Sequence, residues 1–398
     1  MVIHWGSAYL IGFFFWVLSA RYYSAEDMGL ASATISALVL TANIADLGLG
    51  FGLIRFLPGF SDKKGFINTC FTLAFFASVL AGIVFLAGLN IWSPALLFLR
   101  NNPFYIAFFC LYIILSSISV MSDKVFIALR QVKFSFIRSL VMILEIPLVI
   151  ALAPLLGAAG ILLATGVAVG ISVACSLFLF LPRIQRPYFP WPTLHWEVIT
   201  RIFRYSIGNH LSWLLLYTPN WVLPLLVVNR LGPEQNAYFY ISWTVGVTVV
   251  AIFSSISYSL FAEGSHDEKR LFSLGISAFK LSLLLLVPVI TLIFIGGSKL
   301  LLLFGPVYSE QGTGLLRLLA LSALPASFNH IYITYKRVTK ELRVVVGISG
   351  AIALLALGGS YLLLPRLGLI GPGWAYLGAH TLIASWLVIH FLLRDMKN

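Results

Sequence analysis

Long stretches without Lys, Arg, Asp or Glu dominate the chain: residues 1–20, 65–99, 101–122, 146–182, 205–229, 235–262, 344–365 and 367–393. A helix of about 20 mostly apolar residues crosses about 30 Å of hydrocarbon, and these runs reach or exceed that length. Split at their turn residues, they predict twelve spans: 5–20, 30–54, 67–90, 103–123, 139–154, 158–181, 205–229, 237–261, 275–296, 312–334, 344–363 and 369–392. Gly157, Ala158, Ala159 and Gly160 mark the turn between the fifth and sixth, because glycine relaxes the backbone there. Pro147 and Pro154 predict a short or kinked fifth span. The fold class is therefore an all-α polytopic membrane protein of about twelve transmembrane helices.

Composition agrees. Of 398 residues, 60% are apolar and 10% charged, whereas a soluble domain carries about 25% charged residues. The first residues, MVIHWGSAYLIGFFFW, lack a basic start and a small-residue cleavage site, so the first helix reads as an anchor. Cys70, Cys110 and Cys175 all fall in apolar runs and read as small core hydrophobes.

Charge sets the expected orientation. Of the 26 Lys and Arg, 20 fall in one set of loops, from Arg55, Lys63 and Lys64 to Arg394 and Lys397. Five fall in the opposite loops (Arg21, Arg100, Arg230, Lys299 and Arg366), and Arg317 lies within a span. Basic loops stay cytoplasmic, so the reading is a multi-pass protein of the cytoplasmic (inner) membrane with both termini inside. The same bias explains most of the +12 net charge. No nucleic-acid-binding module accompanies it, so no nucleic-acid partner is expected.

The longest loop, PRIQRPYFPWPTLHWEVITRIFR, separates two halves of comparable length. The expected organisation is a six-helix bundle over 1–182, a cytoplasmic linker over 183–204, and a second six-helix bundle over 205–398. The linker is proline-rich at first and amphipathic later; its later part reads as an interfacial helix or as the start of the seventh span. A weak repeat supports the halves. Arg21 followed by Glu26 and Asp27 is echoed by Arg230 followed by Glu234, and Leu57–Gly59 with Lys63 and Lys64 by Phe261–Glu263 with Lys269 and Arg270. Two copies of six helices would be related by an axis along the membrane normal.

Charged and polar residues inside the spans are the candidate chemistry, because they are expensive there. Asp46 and Arg55 sit nine positions apart; at about 100° per residue a continuous helix would place them on opposite faces. Arg55 would snorkel to lipid phosphate, while Asp46, about two turns deeper, needs a partner, water or a proton. Arg317 suits a phosphate through its planar donor fork, or snorkels at the outer interface, or pairs with Glu145. Arg21 and Arg230 either bind an anion or cap helix C-termini. Glu145 beside Pro147, Asp46 and His210 are candidates for proton or cation coupling, or for charge pairing. His330 reads as a neutral histidine bonded to a neighbouring helix. Asn43, Asn209, Asn220 and Asn329 either meet sugar hydroxyls or stitch helices. Trp213, Tyr217, Trp221, Tyr238, Tyr240 and Trp243 either stack on sugars or belong to the interfacial belt.

No phosphate-binding G-x-x-x-x-G-K-[ST] run, metal-ligand spacing or nucleophile elbow occurs. His266, Asp267 and Glu268 form a polar loop and not a triad. The chain is expected to be no enzyme, to need no cofactor and to hold no metal.

Residues 20–58, from ARYYSAEDMGLASA through NIADLGLGFGLIRFLPG, resemble the N-terminal signature of polysaccharide biosynthesis proteins, the Wzx-type oligosaccharide flippases of the multidrug/oligosaccharidyl-lipid/polysaccharide (MOP) exporter superfamily, relatives of MATE and MurJ-like transporters. The matching positions are Ala20, Arg21, Gly29, Asp46, Gly48 and Arg55. FGPVYSEQGTGLLRLL resembles a second feature through Gly305, Pro306, Tyr308 and Arg317. The resemblance departs at the start, where relatives carry a longer basic N-terminus. It implies two six-helix bundles around a charged cavity, and movement of a polyprenyl-(pyro)phosphate-linked glycan to the outer leaflet by alternating access. The head-group candidates are then Arg317, Arg21, Arg230, Arg55, Asn209 and Asn329, and the expected partners are the lipid-linked glycan, membrane lipids, and a glycan polymerase or glycosyltransferases. The rival readings are a cation-coupled multidrug antiporter of the same superfamily and a non-transporting accessory protein of a glycan assembly complex.

Overall fold

The computed structural model describes residues 2–266 and 270–395. Asp267, Glu268 and Lys269 of the polar loop, and Lys397, lie outside the described residues. The described chain is helical, and its helices fall on all twelve predicted stretches. Among the described residues, eight helices are long and apolar enough to cross a membrane, or nine if the bent pair Pro233–Thr248 and Phe253–Phe261 is one span. The molecule is an all-α polytopic membrane protein.

The chain divides into two compact units, Met1–Leu214 and Leu215–Asn398. The division falls inside one 36-residue helix, Trp196–Leu231. The amphipathic end of the long loop is thus the first turns of that helix, continuous with the span that follows.

Helix breaks in the first unit follow its prolines and glycines. The fifth predicted span is Val132–Val141, a 3-10 turn over Met142–Leu144, and Glu145–Leu156. Pro147 cannot donate to the carbonyl of residue 143 and its ring crowds that carbonyl, so the ladder loosens there. The sixth span passes from Ala158–Ala174 through a π turn over Cys175–Phe180 to Leu181–Ile184, which contains Pro182. The second span is two helices, Ala25–Ala45 and Leu49–Phe56, broken at Asp46, Leu47 and Gly48. A single continuous helix over 30–54 is therefore corrected, and with it the geometry expected for Asp46 and Arg55.

The acidic loop after Arg21 has a structural task. Ser24 caps Ala25–Ala45 by accepting from the Asp27 amide at 3.1 Å, and its hydroxyl donates back to the Asp27 carboxylate at 2.6 Å. The other Asp27 oxygen accepts from the Ala158 amide at 2.8 Å, which caps the helix Ala158–Ala174. Gly157 makes this turn with φ +49°, and a Cβ there would stand 2.8 Å from Asp27 Oδ1. Tyr23 closes the corner by donating to the Val149 carbonyl at 2.7 Å. Burial, and then the Asp27 charge, push its phenol up to about 12.

The core of the first unit collects Leu49, Leu53, Phe66, Phe126, Phe180 and Ile202 from five separate segments. In the second unit, Leu216, Ile333, Ile348 and Leu387 form one cluster, and Leu260, Leu271 and Val338 another. Helix faces such as Phe76, Leu80 and Ile83 are exposed, as expected for surfaces solvated by lipid.

Candidate functional site

The elbow between Ala25–Ala45 and Leu49–Phe56 brings the sharpest chemistry together. Asp46 ends the first helix and serves the second. Its backbone carbonyl accepts from the Leu49 amide at 2.8 Å, and its Oδ1 accepts from the Gly50 amide at 3.1 Å. A short acceptor at this place satisfies an amide that a helix start leaves orphaned. Gly48 takes φ +81°, and a Cβ there would lie 3.0 Å from Ser206 Cβ and 3.1 Å from His210 Cβ. Glycine is required twice over: the left-handed backbone disfavours a side chain, and the neighbouring helix leaves no room. Gly52 meets Ile202 in the same way, a virtual Cβ lying 2.6 Å from Ile202 Cγ1. Gly48 and Gly52 thus match Ile202, Ser206 and His210, spaced one turn apart on Trp196–Leu231.

That close approach buries Asp46 against His210. His210 Nδ1 stands 3.7 Å from Asp46 Oδ2, with both side chains nearly inaccessible. The Asn43 carbonyl lies beside the His210 ring, which stacks on Trp213 at 6.2 Å. Lys124 from Pro103–Ala128 supplies a nearby positive charge; its Cγ comes within 3.1 Å of a Cβ placed on Gly50. The arrangement can hold a proton between a carboxylate and an imidazole, with a lysine biasing the balance.

The other expected residues fall elsewhere. Arg55 is exposed in the last turn of Leu49–Phe56, and Asn209 is half-buried beside His210. Glu145 is buried where the 3-10 turn meets its helix, near Tyr112. Arg21 is exposed at the end of Val2–Tyr22. In the second unit Arg317 is exposed on Pro306–Val338; its Nη2 donates to the Phe294 carbonyl at 3.0 Å and its guanidinium lies 5.7 Å from the Phe294 ring. Arg230 lies 4.4 Å over the Tyr361 ring. Asn329 is fully buried and stitches helices: its amide nitrogen meets His380 Nδ1 at 3.2 Å and the His380 carbonyl at 2.9 Å. Trp243 donates to Asn220 at 3.1 Å and packs edge-on against Tyr376 at 5.2 Å. Among the described residues, no group of three or more His, Cys, Asp or Glu is placed to hold a metal.

One part-buried pair escaped the sequence reading. Arg138 grips Asp123 with Nε, at 3.0 Å, and Nη2, and its Nη1 reaches Ser119 and Ser172. Three helices meet there. The available signal was position: Asp123 and Arg138 flank the short turn at Leu129–Gln131 at similar distances, which puts them level in a helical hairpin.

Residues 18–311 match the family model described as polysaccharide biosynthesis protein. The chain belongs to that family. No curated protein matches the chain in sequence. Solved structures match this family member end to end. One, titled lipid II flippase MurJ in an inward closed conformation, has a TM-score of 0.75 at 14% identity, covering 98% of this chain and 87% of that one. An inward-facing multidrug resistance MATE family transporter of the MOP superfamily has a TM-score of 0.70 at 16% identity, covering 98% and 94%. A MOP superfamily transporter from Pyrococcus furiosus has a TM-score of 0.64 at 14% identity, covering 99% and 93%. At these identities the likeness shows a common fold, and this polysaccharide biosynthesis protein has the fold of MOP superfamily transporters.

Proposed function

We propose that this polysaccharide biosynthesis protein flips a lipid-linked oligosaccharide or polysaccharide precursor across the cytoplasmic membrane by alternating access. The observation that carries this reading is family membership over residues 18–311, joined to a fold shared along the whole chain with a lipid II flippase. The sugar–pyrophosphate head group passes through the protein while the polyprenyl tail stays in lipid. Twelve spans in two six-helix halves, 1–182 and 205–398 joined by 183–204, rock against one another, with both termini in the cytoplasm. Arg317 is the foremost head-group contact, since it is exposed and always protonated; Arg21, Arg230, Arg55 and Asn209 are further contacts. Asp46 and His210 hold the coupling proton, and Glu145 is a second carboxylate of that kind.

Asn329 is assigned to helix stitching before head-group binding, because its nitrogen is already taken by His380. Glycosyltransferases or a glycan polymerase are the protein partners. The deciding experiment is leaflet translocation of a defined polyprenyl-pyrophosphate-linked glycan by the purified protein in vesicles. Translocation above protein-free vesicles supports the reading. None, alongside proton-driven efflux of a cationic dye, replaces it with the antiporter reading, which the buried Asp46 and Glu145 favour.

A further inference from the structure

The proline-rich stretch before Trp196–Leu231 is strapped to the helix Lys63–Ala87, not free beside it. Tyr188 donates to Asn68 Oδ1 at 2.8 Å while Asn68 Nδ2 donates to the Phe189 carbonyl at 3.1 Å. Further on, the Thr193 amide donates to Thr72 Oγ1 and the His195 amide to Thr69 Oγ1, each at 3.1 Å. The strap therefore meets the helix at the level of residue 68, runs to the level of 72, and returns to 69. Residues 63 and 72 are about 13 Å apart along a helix axis. With Lys63 and Lys64 at head-group level, the turn at Trp191 and Pro192 lies about 10 Å deeper.

At that depth the large exposed side chains of the strap are apolar, and the exposed His195 turns back toward Asp62, its Nε2 3.7 Å from Oδ2. Phe189, Trp191, Leu194 and Trp196 are 64%, 68%, 59% and 75% exposed. They continue toward the exposed Phe75 and Phe76 of the helix beneath. The Tyr188 hydroxyl, the Phe189 carbonyl and the Thr193 and His195 amides are turned inward onto Asn68, Thr69 and Thr72. Backbone amides are tolerated at membrane depth when protein groups satisfy them. Above this belt, Arg183 and Arg186 are exposed and Lys63 and Lys64 half-buried. An open groove of about 760 Å³, lined by Pro58 to Lys64 and Gln185, lies among them.

We propose that residues 188–196 are a membrane-inserting wedge, seated in the acyl boundary of the leaflet on the side of the basic loops, with Arg183, Arg186, Lys63 and Lys64 holding anionic lipid phosphates above it. Aromatic residues favour that interface, and basic residues near it attract anionic lipid. The wedge fixes the depth of the segment through which the chain enters Trp196–Leu231. This inference is independent of which cargo is carried.

The test uses the full chain, with Cys70, Cys110 and Cys175 replaced by Ala, and Trp191→Cys carrying an environment-sensitive fluorophore. It is reconstituted in phosphatidylcholine vesicles with or without phosphatidylglycerol. Lipids spin-labelled at the head group, shallow chain or deep chain then act as quenchers. The expected result is blue-shifted emission, quenched most by the shallow label, against water-like emission from Ser61→Cys in the exposed loop. Loosening the strap with Asn68→Leu and Thr72→Val should lose the blue shift. Phosphatidylglycerol should increase quenching, and Arg183→Gln with Arg186→Gln should abolish the increase. A photo-crosslinking residue at position 191 of the otherwise unaltered chain gives a second readout, expected to yield lipid adducts. Water-like emission unquenched by any lipid, or cross-links to protein alone, would overturn the wedge. Equal quenching with and without phosphatidylglycerol would overturn the anionic contacts.

Discussion

His210 Nδ1 faces Asp46 Oδ2 across 3.7 Å, from a helix that reaches the elbow because Gly48 and Gly52 carry no side chain. The distance is too long for a hydrogen bond between neutral partners. A proton added to the ring turns Nδ1 into a donor and draws the two together. Asp46→Asn keeps an oxygen for the Gly50 amide and removes the charge. It should leave protein level near normal and reduce transport by about tenfold or more, the scale of a lost proton-transfer group. His210→Gln should flatten the pH dependence of transport, because it replaces a ring that can take up a proton with an amide that cannot. Lys124 and Cys70 face the same carboxylate and stay unaltered in both variants. Unchanged pH dependence in His210→Gln, measured by glycan translocation in vesicles, refutes the proton role.

Gly48→Ala tests the elbow as a piece of architecture. The left-handed backbone costs an alanine about 1 kcal/mol, and the Cβ must also displace Ser206 or His210. Thermal unfolding of the purified variant in detergent should start several degrees lower. Gly59→Ala, where a Cβ meets nothing within 4 Å among the described residues, is the control and should unfold with the unaltered protein.

Arg138→Ala strands Asp123 among three helices. Breaking one partner of a fully buried pair costs about 3–5 kcal/mol and of this part-buried pair less, while replacing both with apolar residues costs less still. Folded protein should therefore fall sharply in Arg138→Ala and recover in Arg138→Met with Asp123→Leu. Monodispersity on size-exclusion chromatography reads the difference. Equal loss in the single and double variants would show that the hydroxyls of Ser119 and Ser172 need the guanidinium more than the carboxylate does.

Arg317→Gln and Arg317→Lys separate head-group contact from snorkelling. Lysine keeps the charge but lacks the rigid fork. A phosphate contact predicts near-complete loss of flipping in Gln and partial retention in Lys, both at normal protein level. If the contact to the Phe294 carbonyl is all that matters, Lys behaves as Arg and Gln loses stability modestly. Full transport by Arg317→Gln at normal level excludes the head-group role.

Much of this protein is legible in one dimension. The apolar runs, being longer than any loop needs, determine that the chain is helical and lives in a membrane. The Gly157 turn and the Pro147 kink were readable because glycine and proline act on the backbone locally, whatever surrounds them. The wording around Arg21, Asp46 and Arg55 pointed to the family that the match over residues 18–311 shows.

What the sequence left open are relationships across helices. Asp46 and Arg55 looked like a question of helical phase, and the elbow at Gly48 dissolved it. His210 became the neighbour of Asp46 across 164 positions of sequence, and Arg138 the holder of Asp123. The acidic loop proved to be a cap for Ala158, and the proline-rich linker a strap on Asn68, Thr69 and Thr72. In every case the residue types announced a need: a charge or amide too costly to leave alone in a lipid-solvated structure. Hydropathy along a chain records that need but not the direction in which it is met. Only packing, which decides which faces of which helices touch, supplies the partner.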